Sequence, residues 1–174
     1  MRKIVLTLAV MLGAFISAPT SYAMQSLRDN VPNAQKVGEG RLTYLMWDIY
    51  DASLYAPQGE WKKSAPFAIH LSYLRDITGK KIADRSIVEI RNQGIDDEVT
   101  LASWHSQMRN IFPDVDKGVS LTGVYAANGD SVFYQNDKEI GRITDPEFSK
   151  AFFNIWLDEK TSSPDLRQKL LGLL

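Results

Sequence analysis

The chain has 174 residues, with 20 basic and 21 acidic side chains and a formal net charge of -1 at pH 7. This length suits one domain with a substantial core. Without a basic block, the composition argues against nucleic acid or an anionic membrane surface as the main partner. There is no cysteine and there are only two histidines, so we predict no disulfide, no metal site and no cofactor.

The first 23 residues have the layout of a secretory signal peptide. Arg2 and Lys3 precede an uncharged apolar run, Ile4–Ile16, which is too short for a membrane span of about 20 residues. Ser21 and Ala23 fit the small-x-small cleavage rule. We therefore expect cleavage after Ala23, a periplasmic protein without a membrane span, and a mature net charge of -3 from 18 basic and 21 acidic residues.

The mature chain divides into an N-terminal lead-in, residues 24–36, and one domain, residues 37–174. The polar lead-in predicts a mobile segment or a short turn. Lys36–Ala56 is rich in Tyr, Trp, Leu and Ile, which predicts two antiparallel strands with a turn near Trp47, or one long bent strand. Phe67–Leu74 alternates as a strand does.

The hydrophobic period then changes to that of a helix. Thr78 is suited to cap a helix through about Gln93. Asp96 or Asp97 starts a second helix, and Pro113 stops it.

Three strands and two helices follow in the last third of the chain. Val119–Ala126 predicts a strand, and a hairpin turns near Asn136. A helix with Pro146 at its first position carries an aromatic face, and a last helix begins at Pro164. Because strands cluster rather than alternate with helices, we predict an α+β fold, an antiparallel β-sheet with helices packed on one face.

Arg41 is the charged residue that raises a functional question. It lies near Tyr50 in an aromatic segment, where its planar guanidinium would fork onto the carboxylate of a ligand. The alternative is an internal ion pair, with Asp48 or Asp51 among the partners, or simple exposure. Periodicity alone favours that alternative.

Few residues suggest catalysis. The sequence lacks a GxSxG, an HExxH, a P-loop and a dinucleotide fingerprint. Asp48, Asp51 and His70 are the acid–base candidates, although turn, edge-strand and packing roles fit them better.

Three segments together resemble the chalcone isomerase-like family. They are "GRLTYLMWDIYDASLYAP", "HLSYLRDITGKKIADR" and "FSKAFFNIWLDEKTSSPDLRQKLLG". The first is similar to the family's opening hairpin, the second to a threonine–glycine pair that opens a helix, and the third to its C-terminal segment. The likeness spans Gly38 to Gly172 and implies an open-faced β-sandwich with a cleft between sheet and helices.

The resemblance implies two kinds of function. Some members isomerise chalcones, and others bind fatty acids through an arginine and a tyrosine. The family's arginine is matched by Arg41, and its polar strand position falls near Tyr50. The tyrosine and asparagine of the enzymes are replaced by Ile82 and Glu89.

We therefore expect a periplasmic, non-catalytic binder of an apolar ligand with an acidic head group, such as a fatty acid. Arg41 and Tyr50 would hold the head group, and Tyr44 and Ile82 would line the tail pocket. Two alternatives stay open, an isomerase or lyase acting on an unsaturated carbonyl compound and a protein-interaction module.

Overall fold

In the part of the chain that the structure describes, six strands form one antiparallel sheet in the order in which they occur in the sequence. A computed structural model describes residues 25–64 and 66–174. The expected signal peptide and its cleavage site lie outside these residues. The strands are β1 (Ala34–Tyr44), β2 (Trp47–Pro57), β3 (Phe67–Tyr73), β4 (Ser120–Tyr125), β5 (Ser131–Gln135) and β6 (Lys138–Ile143).

Within these described residues, five helices accompany the sheet: α1 (Gln25–Asn30), α2 (Gly79–Asn92), α3 (Glu98–Ile111), α4 (Pro146–Leu157) and α5 (Pro164–Leu170). Asp97 caps α3 by accepting a 2.9 Å hydrogen bond from the Thr100 amide. Asp145 caps α4 in the same way and also accepts a 2.8 Å bond from Trp104 Nε1. One carboxylate therefore starts α4 and ties it to α3.

The main core lies between one sheet face and helices α2 to α5. On β2 the inward positions are Tyr50, Ala52, Leu54 and Ala56, which are all buried. Phe148 is fully buried and stacks on Phe152 with ring centroids 5.4 Å apart. This arrangement confirms the predicted α+β fold.

The opposite face carries a smaller cluster. Leu27 and Val31 pack there on Ala68, Val124 and Val132. The segment expected to be a mobile lead-in or short turn thus contains helix α1 and the start of β1. Two buried apolar side chains in an otherwise polar stretch explain why it docks on the sheet.

The β1–β2 and β5–β6 hairpin turns differ from each other in residue type. Asn136 and Asp137 join β5 to β6 with φ angles of 46° and 67°, as a two-residue turn with positive φ requires. This hairpin is where the sequence predicts it. The β1–β2 turn is at Leu45 and Met46, two residues before the predicted position near Trp47.

Candidate functional site

A cavity of about 540 Å³ lies between the sheet and the helices. Its size falls within the usual range of about 300–1,000 Å³ for small-molecule sites. Most of its wall is apolar, and the wall includes Leu42, Ile69, Leu71, Ile82, Phe152 and Trp156. Such a wall favours a ligand with a large apolar part.

A β-bulge shapes one end of this cavity. Leu42 pairs with Tyr50, but Thr43 pairs with Asp48, so Ile49 is the extra residue of the bulge. Consecutive strand residues normally point to opposite faces. The bulge breaks this alternation, and Ile49 and Tyr50 both line the cavity.

Helix α2 supplies the charged groups of the wall. Lys81, Arg85 and Glu89 line the cavity at helical spacing. The Arg85 guanidinium bonds to the Glu89 carboxylate and lies 5.6 Å from the centre of the Tyr44 ring. The Arg85 side chain is 56% exposed and the Glu89 side chain 8%. Arg85 therefore stands at the mouth, while Glu89 is held inside.

Tyr50 places a neutral hydroxyl in the cavity wall. Its oxygen accepts a 3.0 Å hydrogen bond from Trp156 Nε1. Burial, and secondarily the negative charge of Glu89, raises the pKa of Tyr50 to about 12. Within the described part of the chain the hydroxyl has no acceptor for its own proton. It is thus available to donate to a ligand oxygen.

Arg41 does not line the cavity. Its Nε and Nη2 bond to the two carboxylate oxygens of Asp51 at 2.7 and 3.0 Å, and its Nη1 bonds to Asp48 at 2.9 Å. These bonds, with Asp51 first, raise the pKa of Arg41. The internal ion pair weighed from the sequence is therefore what forms.

Strand parity explains the placement of Arg41. A Cβ built on Gly38 would lie 2.1 Å from the Lys169 carbonyl oxygen, and one on Gly40 would lie 2.9 Å from a Leu166 methyl carbon. Both glycines thus face α5, and Arg41 faces the other side of the sheet. Arg41 therefore does not lie where an anchor for a ligand in the cavity would have to lie.

The other predicted site residues divide into two groups. Tyr44, Tyr50 and Ile82 line the cavity together. Of the acid–base candidates, neither Asp48 nor His70 lines it, and Asp51 is also absent from its wall.

His70 lies on the opposite sheet face, where both of its ring nitrogens are hydrogen-bonded. Its Nδ1 lies 2.9 Å from Thr122 Oγ1, and its Nε2 lies 3.2 Å from the Ser72 hydroxyl. Burial lowers the pKa of His70. In the described residues, no group of three or more His, Asp and Glu side chains is arranged to hold a metal ion.

Lys81 and Arg85 were not predicted as cavity residues, because a run of charged residues is typical of a solvated helix face. The signal that was available is their spacing from Ile82 along the helix. Ile82, Arg85 and Glu89 share one side of a helix whose apolar stripe contains Ile82. A charged residue on the apolar side of a helix has either a buried partner or a polar cavity.

Comparisons with known proteins agree with this architecture. The model of the chalcone isomerase-like family matches residues 35–172. A solved fatty-acid binding protein from Arabidopsis thaliana superposes with a TM-score of 0.63 at 10% identity, covering 82% of this chain and 88% of that one. A search of curated proteins gave no significant match. Because the family model spans most of the chain, this protein belongs to the chalcone isomerase-like family.

Proposed function

We propose that this protein is a periplasmic, non-catalytic binder of an apolar molecule with an acidic head group, of which a fatty acid is the type. The observation that carries the proposal is the composition of the cavity. Most of its wall is apolar, and its charged side chains, Lys81, Arg85 and Glu89, lie together on α2, with Tyr44 against Arg85. The apolar wall suits the hydrocarbon part of an amphiphilic acid, and the positively charged side chains suit its carboxylate.

Arg85 is the head-group anchor in this proposal. It lines the cavity, is half exposed, and has donors beyond the one bonded to Glu89. Lys81, one helical turn before it, adds a second positive charge to the wall. The Tyr50 hydroxyl adds an uncharged hydrogen-bond donor, from which a carboxylate oxygen can accept a further bond.

The tail would occupy the apolar remainder of the cavity. An apolar cavity of about 150 Å³ holds a benzene molecule, so 540 Å³ accommodates an aliphatic chain several times larger. The structural relative from Arabidopsis thaliana is named a fatty-acid binding protein, which supports the proposal by analogy of fold.

Three arginines allow a controlled test. The change Arg85→Gln removes the proposed anchor. The change Arg91→Gln alters the same helix at a residue that bonds to Glu98 outside the cavity, and Arg41→Gln alters the sheet face away from it. Fluorescence titration with a conjugated fatty acid should show at least about tenfold weaker binding for Arg85→Gln alone, as expected for a hydrogen bond to a charged group.

Equal affinities in all four proteins would reject Arg85 as the anchor. A wild-type protein that takes up no fatty acid would reject the proposal itself. Native mass spectrometry after export to the periplasm, followed by denaturing extraction, would identify what the cavity holds in the cell. Fractionation of the same cells tests the compartment.

Glu89 keeps an enzymatic alternative open. It is a carboxylate that lines the cavity beside a buried phenol, the pairing that general acid–base chemistry on an unsaturated carbonyl compound would need. Turnover of an α,β-unsaturated ketone that is lost in Glu89→Gln would favour an isomerase or lyase over a binder.

A further inference from the structure

We propose that the tip of the β1–β2 hairpin, residues Tyr44–Trp47, inserts into the surface of a phospholipid bilayer and holds the mouth of the cavity against it. This inference concerns how the ligand reaches the cavity. It goes beyond the proposed function, and its test does not require a bound ligand.

The first observation is exposure. All four side chains of the tip are exposed, with Leu45 at 81% and Met46 at 89%. Burying a leucine, a methionine and two aromatic rings in succession would remove a large apolar area from water. The other large exposed apolar side chains among the described residues are Val88 on α2, Val99 on α3, and Leu173 and Leu174 after the end of α5.

The second observation is the backbone at the turn. Leu45 has a φ of 56°, a left-handed conformation that glycine, asparagine and aspartate adopt readily and that leucine does not. The turn between β5 and β6 meets the same requirement with Asn136 and Asp137. Folding and solubility would both favour a polar residue at Leu45, so an exposed leucine there points to a role outside the fold.

The third observation is position. Tyr44 belongs to the tip and also lines the cavity, and its ring lies against Arg85 at the mouth. Arg75 lies 4.9 Å from the ring centre of Trp47. Aromatic rings beside cations are the side chains that settle at the boundary between head groups and acyl chains.

These features favour a bilayer over a protein partner. A stable protein interface takes about 20–30 residues from each side, whereas the tip offers four. Four protruding side chains are enough for shallow insertion, because the affinity grows with each apolar group that is buried. Since Arg41 is neutralised by Asp48 and Asp51, apolar burial rather than net charge would dominate the binding.

A vesicle flotation experiment tests this. The probes are vesicles of phosphatidylcholine alone and of phosphatidylcholine with one part in five of phosphatidylglycerol. The variant Leu45→Asn/Met46→Ser removes the two most exposed side chains and places an asparagine where φ is positive. The matched control is Val99→Ser, which removes an equally exposed apolar side chain from α3.

We expect the wild type and Val99→Ser to float with both kinds of vesicle, with little loss at high salt. The double variant should bind at least about tenfold more weakly, while its melting temperature stays the same or rises. Tryptophan fluorescence of the wild type should shift to the blue with vesicles, because the exposed Trp47 would enter the bilayer. Equal binding of all three proteins, or no binding by the wild type, would overturn the inference.

The two proposals fail separately. Fatty acid presented in solution reports on the cavity, and the double variant should still take it up, because Leu45 and Met46 do not line the cavity. Vesicle binding without fatty-acid uptake would leave the insertion of the tip standing and reject the proposed ligand. Fatty-acid uptake without vesicle binding would support the proposed ligand and reject the insertion of the tip.

Discussion

The change Glu89→Gln should tighten the binding of an anionic ligand. Glu89 holds its carboxylate inside the cavity wall, bonded to Arg85. A fatty-acid carboxylate that approaches Arg85 meets this negative charge. Glutamine keeps the volume of the side chain and an oxygen that accepts the Arg85 hydrogen bond, so the substitution removes the charge and little else.

The size of the effect follows from the geometry. Two unit charges about 4–6 Å apart interact by about 3–4 kcal/mol at an effective dielectric constant of about 20. The Arg85 side chain is 56% exposed, so solvent screens part of this repulsion. A gain of about 1.4 kcal/mol, or about tenfold in affinity, is therefore expected.

The assay is the same titration with a conjugated fatty acid, repeated with the fatty alcohol of equal length. Glu89→Gln should tighten the acid and leave the alcohol unchanged. Glu98→Gln is the matched control, because Glu98 bonds to Arg91 outside the cavity. Weaker acid binding in Glu89→Gln would refute the reasoning, because it would mean that the Glu89 carboxylate supports the head group instead of repelling it.

Three further predictions concern stability. Burial raises the pKa of Tyr50 to about 12, so wild-type stability should fall by about 2–3 kcal/mol as pH rises from about 10 to 12, where the unfolded state alone has lost its phenolic proton. The stability of Tyr50→Phe, measured by denaturant titration, should not show this part of the fall. Equal losses of stability with pH in the wild type and the variant would contradict the prediction. A Cβ at Gly79 would lie 2.0 Å from the Phe112 carbonyl oxygen, so Gly79→Ala should cost at least about 2 kcal/mol of unfolding free energy despite alanine's better helix propensity; an unchanged denaturation midpoint would show that α2 shifts freely. Phe148→Ala empties a fully buried position and should cost about 3–5 kcal/mol by the same titration, whereas a loss under 1 kcal/mol would mean that the core collapses around it.

The fold was predictable from local signals. Pro146 and the capping Asp97 mark helix starts that the structure reproduces. The Asn136 turn fixes one hairpin. Each of these residues acts through its own backbone, so the sequence alone carries the information. The exposed Leu45 turn gave no such signal, because leucine is not a turn residue.

The site was predictable only in part. Tyr50 and Ile82 line the cavity, and their roles toward a ligand stay predictions. Arg41, expected to hold a head group, lies on the sheet face away from the cavity. The irregular pairing of β1 hides its parity in the sequence, although Gly38 and Gly40 show that parity once their contacts with α5 are known. Arg85 was missed because the hydrophobic pattern of a helix does not distinguish solvent from a cavity.

The order of the strands also bears on how the chain folds. β1–β3 and β4–β6 are two units whose strands pair with their neighbours in the chain. The pairing of β3 with β4 joins them and must first close a loop that contains α2 and α3. Its closure entropy makes this the slow event. The seam is the pairing of β3 with β4. Substitutions there, such as Ile69→Val opposite Gly123, should therefore slow refolding more than substitutions in the β1–β2 or β5–β6 hairpin. Because Leu42 and Ile140 line the cavity from different units, the ability to bind a ligand should appear only when the seam has closed.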